Sequence, residues 1–161
     1  MICKNLKELE KELYKRINTA LDTEVADTIK EVMADHIRDD VYNKHKPKYY
    51  SRRGTDGGLA DPENLNATLG NDGELFVQNI TLGSKTFYSK HAQGYVPSGN
   101  ANEFITPIIE SGIGYDAWDE SFPRPYVQNT HDDLEQNHYH TEAMKRSLKK
   151  QGLEVNDKWI I

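Results

Sequence analysis

Cysteine is almost missing from this chain. Cys3 is the only one in 161 residues, so no intrachain disulfide can form. Cysteine usage therefore gives no sign of an oxidising compartment. The sequons Asn66-Ala67-Thr68 and Asn79-Ile80-Thr81 accordingly read as chance matches. Long apolar runs are missing too, and no stretch approaches the ~20 residues of a membrane-spanning helix. Lys4, Lys7, Glu8 and Glu10 interrupt the start, so a secretory leader is not expected. A basic surplus is absent: 20 Lys and Arg stand against 26 Asp and Glu, a net charge of −6. That balance disfavours a general nucleic-acid binder. The chain has no Gly-x-Ser-x-Gly elbow, no Gly-Lys-Ser/Thr phosphate loop and no His-Glu-x-x-His zinc helix. Finally, residues 4–42 contain neither glycine nor proline.

That last absence says what is present. Leu6, Leu9, Leu13, Ile17, Leu21, Val25, Ile29, Val32, Ile37 and Val41 recur at about 3.6 residues, with Lys7, Glu8, Lys11, Glu12, Lys15, Asp22, Glu31 and Asp35 between them. The pattern predicts a long amphipathic helix. Asn18-Thr19 or Asp22-Thr23 are weak helix formers where it could break. Residues 43–64 are rich in turn chemistry. Leu65–Leu69 and Glu74–Leu82, separated by Gly70-Asn71-Asp72-Gly73, predict a hairpin. Residues 83–103 form a long polar loop, the kind that is usually functional or disordered. Phe104–Glu110 has strand composition, with Pro107 marking an edge strand. Ser111-Gly112-Ile113-Gly114 is a turn, and Pro123-Arg124-Pro125 stops any element running through it. Thr130 and Asp133 resemble a capping box opening a helix over 131–151. Lys145, Arg146, Lys149 and Lys150 suit its last turns, and Gly152 its C-terminal cap.

The expected fold is one α+β domain over 1–161. A long N-terminal helix (1–42) precedes a small antiparallel sheet with long loops (65–127), and a C-terminal helix packs on that sheet. With 36% hydrophobic and 29% charged residues, such a chain is globular. At this length it buries about 70% of its unfolded surface.

Catalytic constellations are thin. His131, His138 and His140 with Asp132 could make a metal-dependent hydrolase. On one helix, however, residues two apart point ~200° away from each other, so His138 and His140 do not share a ligand face. Gly112-x-Gly114 evokes a phosphate loop but fits a turn better. Paired acids such as Asp39-Asp40, Asp119-Glu120 and Asp132-Asp133 suit a solvated surface. Lys44 to Arg53, interleaved with Tyr49 and Tyr50, could touch an acidic partner or nucleic acid, or simply be a solvated loop. Glu110 is placed either to bond the amides of the Gly112–Gly114 turn or to lie on the surface. The expectation is therefore a binding protein rather than an enzyme, with no metal and no cofactor. A small intracellular interaction or regulatory protein is a further alternative.

The order of short motifs adds to this. A helix leads to Gly58-Leu59. Ile109-Glu110-Ser111-Gly112 ends a strand-like run and precedes Gly114. Pro123-Arg124-Pro125-Tyr126 leads into the last helix. Over roughly 5–151 this order resembles the tail-completion and head–tail joining proteins of tailed phages, the neck and minor tail proteins. Asp40-Val41-Tyr42 and Tyr50-x-Arg52-Arg53 resemble phage proteins of Gram-positive hosts. The 83–103 segment departs from the compact family pattern.

The resemblance implies a structural virion protein working as a hexameric or dodecameric ring. Its partners would be the phage connector or adaptor and the tail tube or tail terminator. DNA would pass through the lumen without specific binding. Assembly would take place in the host cytoplasm, and no membrane would be involved. Contact surfaces expected on this reading are Tyr49, Arg52 and Arg53 in the first loop, Phe87, Tyr88 and Tyr95 in the long loop, and Trp159, Ile160 and Ile161 at the C-terminal end.

Overall fold

The computed structural model describes residues 5–46, 53–83, 105–112 and 122–156. An uninterrupted helical rod runs from Leu6 to Tyr42. It comprises α1 (Leu6–Ala20), a π turn (Leu21–Val25), α2 (Ala26–His36) and a second π turn (Ile37–Tyr42). Asn5 caps it, its side chain accepting from the Glu8 amide at 2.9 Å. Neither expected break occurs. The hydroxyls of Thr19 and Thr23 donate back to the carbonyls of Lys15 and Thr19, at 2.9 and 2.7 Å, and stay within the helix. What happens at Asp22-Thr23 is a widening into a π turn. Downstream of it Val25, Ala26, Met33, Ile37 and Val41 are buried.

A short 3₁₀ turn (Pro62–Asn64) leads into the expected hairpin, β1 (Leu65–Leu69) and β2 (Leu75–Asn79). The strands pair antiparallel, Leu65 opposite Asn79 and Leu69 opposite Leu75. Gly70 donates its amide to the Glu74 carbonyl at 2.7 Å and closes the turn. The two-residue alternation turns Leu65 and Asn79 inward and leaves Phe76 exposed.

The segment expected as an edge strand is helical instead: α3 spans Thr106–Ser111. Pro107 lies in its first turn, where a proline's missing amide costs nothing. The β-branched residues that suggested a strand are overridden by packing, Ile109 being buried in the core. The single helix expected over 131–151 is in fact two. They are α4 (Tyr126–Asn137) and α5 (Tyr139–Lys150), divided by His138 in the left-handed conformation at φ 55°. Thr130 does not cap a helix; it lies inside α4, its hydroxyl donating to the Tyr126 carbonyl at 2.6 Å. The C-terminal stop is as expected. Gly152 has φ +79°, its amide bonds the Lys149 carbonyl, and the Leu153 amide bonds the Leu148 carbonyl at 3.0 Å.

The fold is α+β, as read. The expected packing of the C-terminal helix on the sheet is corrected: the two C-terminal helices pack chiefly along the rod, α4 on α2, and α5 on α1, α2 and the first π turn. The hairpin also meets the rod, at α2 and the first π turn.

Candidate functional site

The three motif segments, far apart in sequence, meet at one place on the second half of the rod. Leu59, Ile109 and Tyr126 join Met33, Ile37, Val41, Ala60 and Leu65 in one buried cluster. Tyr126 is fully buried, and its hydroxyl meets the Thr106 hydroxyl at 2.8 Å. Burial pushes the Tyr126 phenol well above its ordinary value.

Backbone demands explain the motif's polar and small members. At Gly58 a Cβ would stand 2.3 Å from the Gly54 carbonyl oxygen, so no other side chain fits. The Gly58 carbonyl accepts from Asn64 Nδ2 at 2.8 Å and Thr81 Oγ1 at 3.2 Å. Asp61 holds the loop from below, accepting from the amides of Gly57 at 2.6 Å and Glu63 at 3.0 Å. Those two bonds keep its carboxyl below the usual range. Gly112 closes α3 at φ +68°, with Phe122 backbone 2.5 Å from where a Cβ would be. Pro123 and Pro125 flank Arg124, whose amide donates to the Ile109 carbonyl at 3.0 Å. The Arg124 side chain is buried with its guanidinium 5.2 Å from the Phe122 ring centroid.

Glu110 is half-buried rather than on the surface, and Ile113 and Gly114 of the turn it was expected to bond lie outside the described residues. Glu110 Oε1 accepts the Val127 amide at 2.7 Å, so it caps the N-terminus of α4 from across the junction. Burial raises its carboxyl, hydrogen bonds from the Val127 and Gln128 amides pull the other way, and the Asp40 charge adds to the rise.

A polar cluster that sequence reading missed lies beside this junction. Asp40 on the rod is 7% exposed. Its Oδ2 meets His36 Nδ1 at 2.9 Å and accepts from Asn129 Nδ2 of α4 at 2.8 Å, while Oδ1 accepts from Lys44 Nζ at 2.6 Å. Burial alone would raise the Asp40 carboxyl. The bonds from Asn129, Lys44 and His36, with the Lys44 charge, outweigh it and lower it to about 2. His36 Nε2 reaches Asp133 Oδ2 of α4 at 3.2 Å, and Asn137 Nδ2 donates to the other Asp133 oxygen. The available signal was the spacing His36, Asp40, Lys44, four residues apart along one helix face.

The histidines expected as a rival metal site do not converge on a ligand set. His131 is exposed between Asp132 and Glu135, at 3.6 and 3.7 Å. His138 is the exposed residue between α4 and α5, and His140 Nδ1 is buried without a partner. Among the described residues no group of three or more His, Cys, Asp or Glu is arranged to hold a metal ion. Of the expected contact residues, Arg53 is exposed and donates from Nη2 to the Leu82 carbonyl at 2.7 Å, which ties its loop to the hairpin. Gly114, Tyr49, Arg52, Phe87, Tyr88, Tyr95, Trp159, Ile160 and Ile161 lie outside the described residues. No helix among the described residues is long and apolar enough to cross a membrane.

The far end of the rod contrasts with this junction. Leu6, Leu9 and Leu13 share one face of α1 and are 70%, 48% and 44% exposed, with Tyr14 at 65% beside them.

The YomN family model matches residues 5–150. The chain belongs to the YomN family. That family is phage-derived and ties the chain to phage. The match takes in the rod, the hairpin, the junction and both C-terminal helices, so every element described above lies within the family's extent. No curated protein and no solved structure matches the chain.

Proposed function

We propose that this protein is a structural component of a tailed-phage particle, working as a ring at the head–tail neck or the tail terminus. The observation that carries this reading is the exposed stripe of Leu6, Leu9, Leu13 and Tyr14 on the first half of a rod whose second half is built into the core. Contiguous apolar surface of this kind marks a protein contact. The phage-derived family supports the setting. In this reading the motif junction fixes the subunit's shape and catalyses nothing, and the stripe meets a neighbouring subunit of the ring. The net charge of −6 suits a lumen through which DNA slides without sticking. The partners are a connector or adaptor on one side and tail tube or terminator proteins on the other, with no cofactor or metal.

The test is deletion of the gene from the parent phage or prophage, induction, and electron microscopy of the lysate. Filled heads beside unattached tails are the expected result, and tails of uncontrolled length place the protein at the terminator. Normal infectious particles overturn the reading.

A further inference from the structure

The two bonds made by His36 carry a consequence of their own. Its Nδ1 lies 2.9 Å from Asp40 Oδ2 and its Nε2 3.2 Å from Asp133 Oδ2. An ionised carboxylate only accepts, and a neutral imidazole has one N–H to give. Both bonds exist together only when both ring nitrogens carry protons. We propose that His36 is a proton-operated clasp between the rod and α4, closed when the ring is doubly protonated and opened on the Asp133 side when it loses one proton.

The surroundings favour this reading. Asp40 of the rod and Asp133 of α4 contact the ring; Lys44, just past the rod, and Asn129 bond Asp40, Asn137 bonds Asp133, and Glu110 of α3 acts through Asp40. Two carboxylates, one ammonium and one imidazolium make the His36–Asp40–Asp133–Lys44 group neutral. With a neutral ring it is left with a net negative charge in a half-buried site. Asp132 and Glu135 of α4 are engaged with His131 on the outer face and do not compete. His36 bonds the rod through Asp40 and α4 through Asp133 at once, so its proton bears on how firmly α4 is held beside the Asp40–Asn129 bond. The clasp is a property of the isolated chain and does not depend on the ring reading.

The sign follows from the bonding. The clasp holds α4 more firmly in acid than in base, because only the doubly protonated ring makes both bonds. Hydrogen exchange of the α4 amides, corrected for intrinsic rates, reads it directly on the full chain at about pH 5.5 and pH 8. Wild-type α4 protection is expected to fall about tenfold across that interval, the worth of one charge-assisted bond. Asp133→Asn reverses the polarity: the new amide donates to the bare Nε2 of a neutral ring. In that variant protection is expected to hold or rise towards pH 8. His36→Gln removes the titrating group and is expected to flatten the dependence. The same pH dependence in wild type and Asp133→Asn overturns the proposal, as does a flat wild-type profile. Should His36→Gln fail to fold, the Asp133→Asn comparison alone decides.

Discussion

The two halves of the rod are built from one pattern and end in opposite states. From Val25 to Val41 its apolar positions are covered by three segments from elsewhere in the chain. From Leu6 to Leu13 the same spacing of leucines faces solvent. Periodicity marks a helix face and is silent on what covers it. The covered half carries the fold and the bare half is the contact proposed above, so substitutions should separate stability from assembly cleanly.

The largest stability effect belongs to the covered half. Tyr126→Ala removes a fully buried ring and strands the Thr106 hydroxyl. It is expected to cost about 4 kcal/mol in urea unfolding. Asp40→Ala leaves His36 and Lys44 without their shared acceptor and is expected to cost about 3 kcal/mol. Asp40 also gives the comparison a pH signature. Its carboxyl is lowered from 3.8 to about 2 in the folded chain. The stability it contributes is therefore fully present above about pH 4 and lost as pH falls through about 2. The amount is about 2 kcal/mol, and acid unfolding of Asp40→Asn against wild type measures it.

Gly112→Ala follows, at about 2 kcal/mol, because its φ of +68° and the Phe122 backbone 2.5 Å from the new methyl both oppose a side chain. Thermal melting checks it, and an unchanged melting temperature contradicts the packing described at the end of α3. Glu110→Gln is expected to be small, within about 1 kcal/mol, since the amide oxygen still accepts from Val127. Burial raises the Glu110 carboxyl, so the folded chain takes up that proton at higher pH than the unfolded chain. Its share of stability grows as pH falls through the glutamate range, opposite in sign to Asp40. Denaturation midpoints between pH 4 and pH 7 should show that slope diminished in the variant.

The sequence made the rod and the hairpin plain because each rests on a local signal: a glycine-free helical period in one, Gly70-Asn71-Asp72-Gly73 between apolar runs in the other. The Schellman stop at Gly152 was legible for the same reason. What stayed hidden depends on tertiary context. His138 divides α4 from α5 without glycine or proline to announce it. Ile105 to Ile109 has strand composition but forms α3, with Pro107 in its first turn and Ile109 fitted into the core. Glu110 finds its partner on a helix 17 residues away. The motif order singled out Leu59, Ile109 and Tyr126, and the structure turns them inward as a joint rather than outward as a surface. The exposed leucines of α1 entered the sequence reading only as a helix face.

The most direct measurement uses the bare half. Leu6→Glu, Leu9→Glu and Leu13→Glu together alter only exposed side chains and are expected to change unfolding free energy by about 0.5 kcal/mol per site or less. The triple variant, supplied in trans to a phage lacking the gene, should be a folded protein that yields filled heads beside unattached tails. A folded triple variant that restores infectious particles would contradict the assignment of this stripe to assembly.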